Sequence, residues 1–170
     1  MLDLRFNGGG NINPMISGLA PLIGDGFIGG SVDAHDELSH VYRIDNGQFY
    51  DSGRLSCEMD NLPKIASSDK VVVLLSRYTI SSVEMLAIAF KGRSNTHFIG
   101  EPSAGYTTGN GYDQVTDDLF MVISQSVFAN RDKTIYKDKV SVDEEIEFQH
   151  QLELDGDKQM ERALNWLNKK

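Results

Sequence analysis

Apolar residues along the chain change period most sharply between residues 69 and 91. "DKVVVLLS" (69–76) is an unbroken β-branched and leucine run, the pattern of a central strand buried on both faces. After it, Val83, Leu86, Ala87 and Phe90 recur at helical spacing, and Gly92 stands where a C-cap belongs, which predicts a helix over roughly 82–91. "HFIG" (97–100) reads as the next strand. The three segments together make a strand, helix, strand unit, for which a right-handed crossover is expected.

The flanking segments are read the same way. Residues 2–5 form a short strand, and Asn7-Gly8-Gly9-Gly10 a turn that needs close backbone approach or positive φ. Pro14 suits a first helical turn; Met15, Ile16, Leu19 and Leu22 or Ile23 then share a face, with Pro21 expected to end or kink the helix early. "SHVYRIDNGQFY" (39–50) alternates around Asp45-Asn46-Gly47, a hairpin signal. The glycine-rich "GEPSAGYTTGNG" (100–111) reads as a long loop, 118–130 as a long strand, and 143–148 as a marginal one. A helix over 157–168 closes the chain, with Met160, Ala163, Leu164 and Leu167 on one face.

At 170 residues the chain has the size of one domain with one core. No apolar run approaches the ~20 residues of a membrane-spanning helix. The net charge of −9 disfavours a nucleic-acid partner, which needs a basic face. A single cysteine, Cys57, excludes an intrachain disulfide and a cysteine-rich zinc site. No H-E-x-x-H or EF-hand spacing is present, so neither metal nor cofactor is expected. "MLDLRFNGGG" lacks the features of a secretory signal, and opening on a strand without a preceding turn suggests a fragment whose upstream part is missing.

Candidate chemistry begins with Ser81 and Ser82, side by side where the buried strand gives way to the helix. A serine there is most often an N-cap, and Glu84 in the first turn fits ordinary helix entry. Its functional reading is a nucleophile beside the free N–H groups and positive potential of a helix N-terminus, as in a nucleophile elbow, although G-x-S-x-G is absent. "NGGG" (7–10) is either a tight turn or an oxyanion hole, since glycine lets N–H groups approach a carbonyl unobstructed. The glycine-rich loop is long enough to line a site.

In this order and spacing, "LDLRFNGGG", "SRYTISSVEMLAIAFKG" and "GEPSAGYTTGN" resemble the catalytic domain of the C-terminal processing (tail-specific) and tricorn-core serine peptidases. That family also includes the retinoid-binding repeats of the photoreceptor matrix. The resemblance runs from residue 2 to about 148, ending in "ANRDKTIYKDKVSVDEEI". It implies an α/β fold of crotonase or ClpP type, built of stacked strand-strand-helix units, with residues 1–170 as a truncated C-terminal catalytic domain acting on a peptide or protein substrate. Its S-x-x-E pattern selects Ser81 as nucleophile, with Ser82 and Gly8 or Gly9 supplying oxyanion N–H groups. Gly105, Tyr106 and Asn110 fall in its substrate loop.

Tyr106 stands where the processing branch has its dyad lysine, and Asn110 where it has a glutamine, so a Ser-Lys dyad is excluded. Lys91 lies about three turns along the helix from Ser81. The other branch takes its histidine from a segment upstream of the first strand, so the base is expected from outside this chain and the fragment alone to be nearly inactive. Of His35, His40, His97 and His150, none matches the family's base, and His40 is the one internal candidate for a test. Asp132 and Asp138 are available as a third member, although Tyr136 occupies the aligned position. The rival readings are a catalytically inactive binding module for a peptide or apolar ligand, as the retinoid-binding relatives imply, and an acyl-CoA enzyme of crotonase type. The family implies a cell-envelope or extracellular setting.

Overall fold

A computed structural model of the chain describes residues 1–66, 68–148 and 156–169. Among the described residues the architecture is mixed α/β, with a parallel and an antiparallel sheet. The run at 71–75 forms β6 (Val71–Leu75), paired in parallel with β1 (Leu2–Asp3) and β7 (Thr96–Gly100); β7 in turn pairs in parallel with β11 (Glu144–Glu145). All five β6 residues are buried, as the uninterrupted pattern requires. Val71, Val73 and Leu75 enter the main core, while Val72 and Leu74 meet Ile99 and Ala163 on the opposite face.

The second sheet runs β10 (Ile135–Tyr136), β9 (Leu119–Asn130), β2 (Gly26–Val32), β3 (Leu38–Asp45), β4 (Gln48–Asp51), β5 (Arg54–Leu55), with β8 (Thr108–Thr116) also paired to β9. The predicted hairpin is β3–β4: Asp45 pairs with Gln48, and Asn46 (φ 50°) with Gly47 (φ 75°) makes the two-residue positive-φ turn that Asn-Gly favours. Between the sheets lie α1 (Ile12–Ile23) and α2 (Ser82–Phe90), whose residues 83–90 are all buried. A third helix, α3 (Lys158–Asn168), covers the outer face of the parallel sheet, where Trp166 stacks on His97 at 5.1 Å.

Several expectations need correction. β2 had not been assigned from sequence. Its Gly29 and Gly30 obscure the strand pattern, yet a Cβ on either would fall 2.2 Å from the Ala129 carbonyl oxygen or 2.1 Å from that of His40. The first strand stops at Asp3, although Leu4 N–H still donates to the Leu74 carbonyl at 3.0 Å. The first helix begins at Ile12, because Asn11 caps it, and runs through Pro21 to Ile23. The glycine-rich segment is a loop only to Thr107, and 143–148 contributes just two strand residues. On α3, Trp166 packs inward and Leu164 is exposed.

Candidate active site

Ser81 sits at the junction of the Arg77–Ser81 loop with α2, and the chain pins this loop from several sides. Thr79 Oγ1 donates to the Leu4 carbonyl (2.9 Å) and accepts from Ser76 N–H (3.0 Å). Ile80 N–H donates to the Asn7 carbonyl at 3.2 Å, Ala104 N–H to the Thr79 carbonyl at 3.0 Å, and the Ser82 hydroxyl to the Gly10 carbonyl at 2.7 Å. The glycine turn is thereby tied to the serine pair. Gly9 lies so close that a Cβ there would come within 2.8 Å of the Ile80 carbonyl oxygen and 2.9 Å of Ser81 Cβ.

The conformation of Ser81 separates it from an ordinary cap. Asn11 (φ −88°, ψ 115°) and Asp157 (φ −97°, ψ 91°) are extended, and each side chain accepts from the first helical turn. Ser81 has φ 65° and ψ −132°, a sparsely populated region for a residue with a Cβ; it forms a capping box with Glu84, its N–H donating to the Glu84 carboxylate and its side chain facing the Glu84 N–H, although that second contact falls short of a full hydrogen bond. The Glu84 N–H donates instead to the Ser81 carbonyl at 2.7 Å.

Glu84 holds this arrangement together and is the residue whose part the sequence pattern left unassigned. Its carboxylate, 0% exposed, accepts from Ser81 N–H (2.8 Å), the Ser103 hydroxyl (2.6 Å), Gly105 N–H (2.7 Å) and Tyr106 N–H (2.8 Å). One buried acid therefore joins the serine loop to the Glu101–Thr107 loop. Nearby, Glu101 is paired with Arg77 at 2.8 Å, and the Arg77 hydrogen bond holds its carboxyl below the usual value against the effect of burial.

Ser81 and Ser82 open onto a cavity of about 470 Å³ between α1, α2 and the β2–β3 and β8–β9 strands. Asn110, Gly10, Met85 and Phe128 also line it. Of the predicted oxyanion donors, Ser82 heads α2, whereas Gly9 N–H is committed to Asn7 Oδ1 at 3.0 Å. Gly105 and Tyr106 are placed by Glu84, and the Tyr106 side chain is 64% exposed. His40 and Asp51 also line the cavity, with Nδ1 3.0 Å from Oδ1. His40 and Asp51 are diagonal neighbours across the hairpin, a relation readable from sequence once its register is fixed.

The other candidates lie elsewhere. Lys91 caps the far end of α2, where its ammonium donates to the Ser141 carbonyl at 2.8 Å, lies 3.7 Å from the Phe98 ring centroid, and is pushed below its usual pKa by burial. Asp132 packs at Gly92, also beyond the far end of α2, and Asp138 beside Gly105. His35 is in the exposed β2–β3 turn, His97 is stacked on Trp166, and His150 lies outside the described residues. Among the described residues no cluster of His, Cys, Asp and Glu is suited to a metal, and no helix is long and apolar enough to cross a membrane.

Residues 1–148 match the model of peptidase family S41, and the chain belongs to that family. It is 35% identical over 137 residues to the nisin-resistance protein of Lactococcus lactis subsp. lactis, a match covering 81% of this chain and 42% of that protein. The chain thus spans less than half the length of this curated relative. In fold it is similar to a lipoprotein from Streptococcus agalactiae (TM-score 0.69, 21% identity, 98% of this chain and 53% of that one). It is also similar to the photosystem II D1 C-terminal processing protease (TM-score 0.62, 24% identity, 86% and 34%).

Proposed function

We propose that residues 1–170 form the C-terminal catalytic part of a serine-type endopeptidase in which Ser81 attacks the peptide carbonyl and forms an acyl-enzyme. The observation that carries this reading is the backbone of Ser81: φ 65° and ψ −132° at the head of a buried helix, facing a cavity, where Asn11 and Asp157 cap their helices in the extended region. Capping does not require such strain, as Asn11 and Asp157 show, whereas a hydroxyl aimed at substrate gives it a purpose.

The Ser82 N–H, at the positive end of α2, would take the developing oxyanion together with the Gly8 N–H, the Gly9 N–H being held by Asn7. Gly105, Tyr106 and Asn110 would border the bound peptide. With Tyr106 in place of the dyad lysine, the chain sides with the Ser-His branch, and its general base is supplied by a segment outside these residues. Without that base the serine hydroxyl is a weak nucleophile, so this chain alone has little activity.

Ser81→Ala in the full-length protein should abolish hydrolysis of an unstructured peptide while leaving the melting temperature nearly unchanged; retained hydrolysis sinks the proposal. Because one relative is named for nisin resistance, nisin tolerance of cells expressing the wild type or the alanine variant is the corresponding phenotype. The second reading, an inactive binding module of the same fold, is favoured by the Gly9 N–H, a predicted oxyanion donor that Asn7 Oδ1 occupies; peptide binding without turnover by the full-length wild type would establish it.

A further inference from the structure

We propose that His40 and Asp51 make the cavity beside Ser81 a cation-accepting subsite, selecting peptides that carry a lysine, an arginine or a free amine near the bond presented to Ser81. This rests on the preceding reading for the location of the scissile bond, and deepens it by naming a substrate class.

The first step is hydrogen-bond chemistry. Asp51 offers His40 Nδ1 its two oxygens at 3.0 and 3.2 Å, and an ionised carboxylate only accepts, so in the neutral imidazole the proton is on Nδ1. Nε2 is left as an acceptor. The Ser52 hydroxyl donates to Asp51 Oδ1 at 2.9 Å, and Ser52 N–H to the Val41 carbonyl at 2.8 Å, which fixes the carboxylate against β3. A lone-pair nitrogen backed by a held carboxylate complements an ammonium or guanidinium group and mismatches a carboxylate.

The second step is the sign of the surroundings. His40 and Asp51 are the ionisable acid and base in the cavity lining, which otherwise presents amides, hydroxyls and apolar groups and includes neither lysine nor arginine. The Tyr42 phenol, hydrogen-bonded to Ser31 at 3.1 Å in the same wall, is pushed up to about 12 by burial, with the Asp51 charge adding to the effect. It therefore stays neutral, and the field of Asp51 extends into the wall. The chain as a whole carries −9, which steers cations toward it. With side chains 54% and 29% exposed, His40 and Asp51 are within reach of a ligand.

The test uses the full-length protein carrying Ser81→Ala, so that binding is read without turnover. A single lysine is walked through an uncharged fluorescent peptide, with norleucine at the same position as control, and dissociation constants are measured by anisotropy. At one or two adjacent positions lysine should tighten binding about two- to fivefold, as a partly exposed ionic contact does. Asp51→Asn should remove that preference and leave norleucine binding unchanged. His40→Leu, a change at a half-exposed position, should reduce the preference if Asp51→Asn folds poorly. Equal affinities at every position, no measurable binding by any peptide, or a lysine preference that survives both substitutions would overturn the proposal. Loss or retention of hydrolysis on Ser81→Ala judges the nucleophile separately.

Discussion

Replacing Glu84 by glutamine should loosen the candidate site without changing its shape. The native carboxylate receives two donors at each oxygen: Ser103 and Gly105 at Oε1, Ser81 and Tyr106 at Oε2. A glutamine amide must turn its NH2 toward one pair. Facing Ser81 and Tyr106 it would strand two backbone N–H groups, so the amide faces Ser103, whose hydroxyl can rotate to accept, and strands Gly105 N–H. The Ser103 hydroxyl, which already accepts from Val140 N–H at 2.7 Å, then loses the acceptor for its own proton; two buried unpaired donors at about 1–3 kcal/mol each, with the charge assistance of the remaining bonds lost, total at least about 3 kcal/mol. In a domain of this size that lowers the melting temperature by about 6–12 °C. If Ser81 is the nucleophile proposed above, the freed Gly105–Tyr106 segment and the relaxed Ser81 backbone should also lower kcat of the full-length protein at least about tenfold. Thermal melts followed by circular dichroism, with peptide hydrolysis alongside, provide both readings. A Glu84→Gln protein melting within about 2 °C of wild type with full activity would refute the claim that this carboxylate holds the site together.

Gly9→Ala places a methyl group 2.8 Å from the Ile80 carbonyl oxygen at a φ of 101°, so it should cost about 1–3 kcal/mol and depress hydrolysis by displacing the Ser81–Ser82 backbone; unchanged melting and kcat would count against that contact. Asp3 is buried enough to raise its pKa, but hydrogen bonds from Arg5 outweigh this and leave it below the usual value, so its stabilising contribution is complete above the ordinary carboxylate range and is lost as pH falls through the lowered value. Asp3→Asn should therefore flatten the fall of melting temperature with acid below about pH 4, and an unaltered slope would refute the assignment. Ala163→Asp buries a charge where α3 meets Val72, Leu74 and Ile99, and should undock that helix; the single tryptophan, Trp166, should then shift its emission to the red. Emission identical to wild type would show that α3 stays docked.

What could be read from sequence follows from where side chains alone determine structure. The β6 run, the α2 spacing and the Asn46-Gly47 turn are local signals with one good solution each, and they fix the strand-to-helix junction at Ser81. β2 was hidden because its glycines answer to other strands: Gly29 and Gly30 are small so that the backbones at Ala129 and His40 can pass, a requirement imposed by residues distant in sequence. The start of β8 was hidden for a similar reason, since side-chain atoms of Ser126 and Gln125 occupy the space a Cβ at Gly109 or Gly111 would take. For the same reason the pattern marked Glu84 as part of an S-x-x-E motif but could not say what it holds, because three of its four donors arrive from residues 103–106. The choice between cap and nucleophile depended on this tertiary information. A serine before a helix is most often a cap, and the ties of Asn7–Gly10 to Ile80 and Ser82, with those of Glu84 to Ser81 and to residues 103–106, offset the cost of a positive φ at a residue with a Cβ. Asn11 and Asp157 cap their helices from the extended region; Ser81 is held out of it by Glu84 and by the Asn7–Gly10 segment tied to its neighbours Ile80 and Ser82, and that expense is intelligible if the hydroxyl has to meet a substrate.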